Sequence, residues 1–252
     1  MKLLVSDFDG TITTRENDIK INCTLIAKFM QDGNVFALSS GRSYQSLMTV
    51  VHKYGIAHNY LSCFDGICTY KNDGELLWKY EMNKEIIDKL SNLTKLNLHK
   101  SIYYVYGDDY QEKKTNLPIS GISILVKLEK LNSEFKREFA KLKEENKKYD
   151  FLTYPYGDEI FFIIKPSGIN KSTSVEDLRR YLNIDKDDVF TVGDSLNDLE
   201  MIRDYNGYAI GDNKKLKEVA VDSYENVYTL INDIQKGKVK RRCKYVRWWG
   251  AN

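Results

Sequence analysis

Apolar positions along the chain follow two rhythms that alternate. KLLVSDF is a continuous apolar run closed by acids; the next stretch sets Ile21, Leu25 and Phe29 on one helical face with Gly33 as a stop, and NVFALSS is continuous again. A second helical pattern, Leu47, Val50, Val51 and Tyr54 with Gly55 at its end, leads to a short strand around YLSCF. The alternation returns late as a helix across SVEDLRRYL, strand DVFTVG, helix NDLEMIRDY, strand GYAIG and a last short strand near ENVYTL. Continuous apolar strands alternating with helices predict an α/β fold, a Rossmann-like doubly wound parallel sheet covered on both faces.

Between about Met82 and Lys165 the rhythm changes to one helix and two strands, repeated once: KEIIDKLSNLTKL, SIYYVYG and GISILVKL, then SEFKREFAKLKEEN, YDFLTYPYG and EIFFIIK. Two such units suit a small antiparallel sheet with helices on one face. The expected organisation is therefore a core in two parts, residues 1–81 and 166–252, with an α+β domain inserted at 82–165.

Composition narrows the class. The 252 residues, 42% hydrophobic, suffice for packed cores, and no run approaches the roughly 20 apolar residues of a membrane helix. Acids arrive too soon in MKLLVSDFDG for a signal peptide, so a cytoplasmic protein with no membrane partner is expected. Cys23, Cys63, Cys68 and Cys243 lack CxxC spacing and a nearby His cluster, and they read as reduced thiols. The net charge of +2 hides an asymmetry: from about 236, KGKVKRRCKYVRWWGAN holds seven Lys/Arg and no acid, which leaves a mildly acidic body.

Parallel sheets gather binding groups at the carboxyl ends of their strands. Those ends read Asp7-Phe8-Asp9-Gly10-Thr11, Ser39-Ser40-Gly41-Arg42 and Gly193-Asp194-Ser195-Leu196-Asn197-Asp198, while KPSGINKS presents Lys171 ahead of a helix. Singly, each has an ordinary reading: turn-forming Asp and Gly, a helix cap at Ser40-Gly41, helix-start charges at Asp194 and Asp198, a surface lysine. A calcium loop is disfavoured, because Ile12 stands where the sharp-turn glycine belongs and Asp18 where the glutamate belongs.

Taken together and in this order, the segments resemble the haloacid dehalogenase superfamily of phosphohydrolases, and within it the Cof-type, sugar-phosphatase-like branch with an inserted class-two cap. DFDGTIT is similar to the first motif, LSSGR to the second, Lys171 in PSGINKS to the third and GDSLNDLEM to the fourth, over residues 1–80 and 166–235. The resemblance implies a Mg²⁺-dependent phosphohydrolase that removes phosphate from a small phosphorylated metabolite, most plausibly a sugar phosphate, through an aspartyl-phosphate. It implies Asp7 as nucleophile, Asp9 as general acid and base, and Asp7, the Asp9 carbonyl and Asp194 as metal ligands. Asp198 would orient the metal's water shell, and Ser40, the Gly41 amide, Lys171 and Asn197 would hold the phosphoryl oxygens; Arg42 is expected to be structural. Such a cation answers a physical objection, since a carboxylate attacking a phosphate dianion meets about 4 kcal/mol of repulsion per charge pair at ~4 Å and an effective dielectric of ~20.

Two positions depart from the branch's usual text: Asp65 stands before Gly66 where Asn is common, and Ser172 follows Lys171 where Gly is common. Asp65 is expected near the substrate entrance as a selectivity residue. The insert is expected to close over the core site, with Asp108, Asp109, Asp158, Glu159, Tyr106 and Tyr156 as candidate contacts. The basic tail reads mainly as a terminal segment packing Trp248 or Trp249 on the core; nucleic-acid binding is the lesser reading. Sequence leaves open a monomer or homodimer, and two further functions: a phosphomannomutase-like phosphotransferase, or a non-catalytic metabolite-binding or regulatory protein on the same fold.

Overall fold

In a computed structural model, which describes residues 1–94, 99–106, 109–112 and 114–242, the first apolar run is strand β1 (Leu3–Ser6), buried at every position. Helix α1 (Glu16–Gln31) follows and stops where Gly33 takes φ +81° and donates to Met30 O. Its buried face is Ile19, Asn22, Ile26 and Phe29, not the expected Ile21, Leu25 and Phe29. Ile21 is exposed because Asn22, a quarter-turn away, points inward and donates to Ile12 O at 2.9 Å.

Strand β2 (Val35–Ser39), helix α2 (Tyr44–Tyr54) and strand β3 (Tyr60–Cys63) complete the N-terminal run, and a hairpin, β4 (Cys68–Lys71) and β5 (Leu76–Lys79), follows it. The late elements are helix α5 (Lys171–Tyr181), β11 (Val189–Gly193), α6 (Leu199–Asp204), β12 (Asn206–Ile210), α7 (Lys214–Val219), β13 (Asp222–Tyr224) and α8 (Val227–Gln235). Strands run β13-β12-β11-β1-β2, every neighbouring pair parallel. The last short strand, expected near ENVYTL, is β13, which ends just before that stretch, and ENVYTL itself leads into α8. Asn226 Oδ1 accepts from Thr229 N at 3.0 Å as its cap, and Val227, Leu230, Ile231 and Ile234 are buried at helical spacing.

By contact density the chain divides into two units, 1–40 with 50–61 and 171–252, and 41–49 with 62–170. The second unit holds helix α3 (Lys84–Thr94), strands β6 (His99–Val105), β7 (Tyr110–Gln111) and β8 (Gly121–Lys127), helix α4 (Ser133–Glu145), and strands β9 (Tyr149–Tyr156) and β10 (Glu159–Pro166). Its sheet has the order β7-β6-β8-β10-β9, antiparallel throughout. Ile86, Leu90, Phe135 and Phe139 of the two helices share one core with Tyr104, Ile122, Ile124 and Phe162 of the strands, so both helices cover the same face. The fold is thus α/β with a parallel core sheet and a separate antiparallel sheet inserted in it, as the two rhythms predict.

Candidate active site

Asp7 follows the last residue of β1 and is 4% exposed; its N–H donates to Val192 O at 2.9 Å, holding it against the neighbouring strand. Lys171 opens α5, is wholly buried, and its Nζ donates to Asp7 Oδ1 at 2.6 Å and to Asp198 Oδ1 at 2.7 Å. The other oxygen of Asp198 accepts from Asp194 N (3.0 Å), Ser195 N (2.9 Å) and Ser195 Oγ (3.2 Å). Asp194 Oδ1 accepts from Thr11 Oγ1 at 2.5 Å. Two strand ends and one helix start therefore lock together through side chains.

The backbone allows this only because two glycines leave room. A Cβ on Gly193 would stand 2.4 Å from Asp198 Cγ, and one on Gly10 2.4 Å from Asp194 Oδ2, with Gly10 already at φ +83°. Thr11, Gly10, Gly193 and Ser195 were visible only as parts of motifs; what they support becomes apparent once Asp194 and Asp198 are in place.

Carboxylate oxygens of Asp7, Asp194 and Asp198 lie within 4.8 Å of one another, with a single ammonium among them. Burial, together with the charges of Asp198 and Asp194, pushes the Asp7 carboxyl up to about 7 against the pull of Lys171. Asp194 is raised too, by burial first and despite its hydrogen bond from Thr11. A hard divalent cation fits this donor set: it would compensate the negative charge at Asp7 and Asp194, whereas both oxygens of Asp198 already accept from protein donors.

The remaining expected residues are placed as follows. Ser40 is 2% exposed just past β2, at the same sheet edge as Asp7, since β1 and β2 pair with Ser6 opposite Leu38. Asp9 and Asn197 are exposed, the latter's Oδ1 accepting from Ser195 Oγ. Gly41 and Asp65 lie beside each other in the second unit, where Arg42 Nη1 donates to Ser46 Oγ at 3.1 Å. Of the candidate contacts in the insert, Tyr106 and Glu159 are buried at 6% exposure, Tyr156 and Asp158 are exposed, Asp109 is half-buried, and Asp108 lies outside the described residues. Trp248 and Trp249 lie outside them as well. Three cations of the tail engage the protein: Lys240 is paired with Asp222, Arg241 with Asp188, and Arg242 donates to the carbonyls of Tyr205, Ile202 and Val219. Among the described residues no helix is long and apolar enough to cross a membrane.

The family model of haloacid dehalogenase-like hydrolases matches residues 4–155 and 105–226. The Bacillus subtilis (strain 168) 5-amino-6-(5-phospho-D-ribitylamino)uracil phosphatase YitU is 21% identical over 79% of this chain and 82% of its own. YkrA of the same strain is 26% identical over 87% of this chain and 90% of its own. The structure of BT4131, a subclass IIB sugar phosphatase, superposes with a TM-score of 0.70 at 13% identity, covering 95% of this chain and 100% of that one.

Proposed function

Since the chain belongs to the haloacid dehalogenase-like hydrolases, we propose that it is a Mg²⁺-dependent phosphatase that hydrolyses a small phosphorylated metabolite, a sugar phosphate for preference, through an aspartyl-phosphate on Asp7. The observation that carries this reading is the wholly buried Lys171 bridging Asp7 and Asp198, with Asp194 alongside. A buried cation between carboxylates is costly unless it is needed there, and here it draws the Asp7 carboxyl toward its charged form against burial and holds it at a fixed angle.

Bound at Asp7, Asp194 and the Asp9 carbonyl, Mg²⁺ would neutralise charge on the phosphoryl oxygens. The chain's own residues do the rest. An Asp7 carboxylate oxygen forms a bond to phosphorus as the ester P–O bond breaks, and the Asp9 carboxyl gives its proton to the departing oxygen. Asp9, now a carboxylate, takes a proton from water as that water's oxygen attacks phosphorus, the Asp7–phosphorus bond breaks, and inorganic phosphate leaves. Lys171, Ser40 Oγ, the Gly41 N–H and the Asn197 amide donate to phosphoryl oxygens, and Asp198 keeps Lys171 and the 193–195 turn in place. The exposure of Asp9 suits a group that must meet both the leaving oxygen and water. On this reading residues 82–165 are the cap and 1–81 with 166–252 the core.

The test is phosphate release from p-nitrophenyl phosphate and a panel of sugar phosphates, with Mg²⁺ and with EDTA. Metal-dependent turnover that disappears in Asp7→Asn is the expected result. Turnover that survives in that variant, or that ignores EDTA, refutes the assignment.

A further inference from the structure

Phe64 and Asp65, side by side, both take left-handed backbone angles, φ 51° and 54°. Asp tolerates that region and Phe does not, so the surrounding contacts must hold the turn. They are visible: Phe64 N donates to Arg42 O at 3.0 Å, and the Phe64 ring meets Tyr110 edge-on at 6.5 Å. Tyr110 in turn meets Tyr103 at 5.5 Å. Tyr103 is one residue from Tyr104 of the helix-covered core, so it projects from the opposite face of the second unit's sheet.

That face also carries Tyr154, 51% exposed, three strands away and opposite Phe161. The Tyr154 phenol is pushed up, by burial first and then by the negative charges of Asp65 and Asp150, which puts the Asp65 carboxylate within electrostatic reach of it. The same carboxylate would lie 3.4 Å from a Cβ on Gly41, the residue whose amide is offered to phosphate in the proposed function. A strained turn thus sets one carboxylate between a phosphate-binding glycine and half-exposed tyrosines. The aromatic pairs here cross at 69° and 82°, so they form no parallel slot for a flat heterocycle; single ring faces with a carboxylate acceptor suit a polyol's C–H face and hydroxyls instead.

Resting on the phosphatase reading, we propose that Asp65 sorts substrates by the charge of the leaving group. Its carboxylate accepts hydroxyl hydrogens from a neutral polyol and repels an ester that carries a second anionic group.

The experiment compares fructose 6-phosphate with fructose 1,6-bisphosphate in kcat/KM, each normalised to p-nitrophenyl phosphate, for the wild type, Asp65→Asn and the charge-matched control Glu129→Gln. The wild type should favour the monophosphate; Asp65→Asn, isosteric and tolerant of positive φ, should narrow the ratio about tenfold, chiefly by raising the bisphosphate rate. Glu129→Gln should keep the wild-type ratio. A folded Asp65→Asn with an unchanged ratio overturns the proposal, as does a wild type that prefers the bisphosphate or a pyrimidine ribityl phosphate over the sugar monophosphate. If p-nitrophenyl phosphate is not hydrolysed at all, the phosphatase reading fails separately. Calorimetric titration of the same two sugar phosphates then reads the same affinity ratio without turnover, with an unshifted ratio in Asp65→Asn again overturning the role.

Discussion

Replacing Lys171 by Met tests the electrostatics of the site without reference to any substrate. Nζ sits 2.6 Å from Asp7 Oδ1 and 2.7 Å from Asp198 Oδ1. At an effective dielectric near 20 each contact is worth about 6 kcal/mol of gross attraction, most of it offset by desolvating three charges. Methionine fills similar volume but leaves the carboxylates uncompensated, so urea unfolding at pH 8 should show a loss of about 3–5 kcal/mol. The loss must depend on pH with a definite sign. Asp7 already titrates at about 7 in the folded state, well above its ordinary range. The native state therefore binds more protons than the unfolded state between about pH 4 and pH 7, and stability falls as pH rises through that window. Without Lys171 the carboxyl rises further, so the variant should recover most of its deficit at pH 5, and Mg²⁺ should restore part of it at pH 8 by supplying the missing positive charge. A folded variant that loses under about 1 kcal/mol at pH 8, or whose deficit is the same at pH 5 and pH 8, would refute the account.

Asp7→Asn should lower phosphate release by more than about 10³-fold and, in urea titrations without metal, flatten the fall in stability between pH 4 and pH 7, because its titrating group is gone. Gly193→Ala drives a Cβ to 2.4 Å from Asp198 Cγ; the expected cost is about 1–3 kcal/mol in urea unfolding, with a weaker thermal shift on adding Mg²⁺. Cys63 and Cys68 are buried and hydrogen-bonded to each other, and this pushes the Cys63 thiol up. Both should resist a thiol reagent at pH 8 in the native protein and react in urea, and rapid native labelling of either would contradict their placement.

How much of this was legible in the sequence depended on where the information lies. The segments that meet at Asp7, Lys171, Asp194 and Asp198 could be read because strand ends are marked by abrupt changes from apolar to acidic text, and doubly wound sheets bring such ends to one edge. Elements with one strong rhythm, such as α4 and β10, were read for the same reason. The last strand was expected too far along, near 225–230, because Val227, Tyr228 and Thr229 are good strand formers locally, while the helix is fixed by an Asn226 cap and by burial of Ile231 and Ile234 beyond the stretch. Helix α1 was turned by about one residue because a buried Asn counts as polar in any apolar pattern, although its amide here satisfies the Ile12 carbonyl.

The positive φ at Phe64 was invisible for a deeper reason. Nothing in CFDG distinguishes a strained pair from an ordinary turn before glycine, since the strain is imposed by Arg42 and Tyr110, which are remote in sequence. Strain maintained by distant partners persists only where the surrounding structure over-determines it. The residue so held is a carboxylate packed on Gly41, not a glycine that would relieve the turn at no cost. Around Asp7 the negative charge is compensated by Lys171 and the proposed cation; at Asp65 the proposed role is to act on the group an incoming substrate brings. The division proposed between a carboxylate cluster that performs one reaction and a backbone-strained acid that chooses among substrates is what the paired tests on Lys171 and Asp65 separate: the first should shift stability and metal response, the second only the ranking of leaving groups.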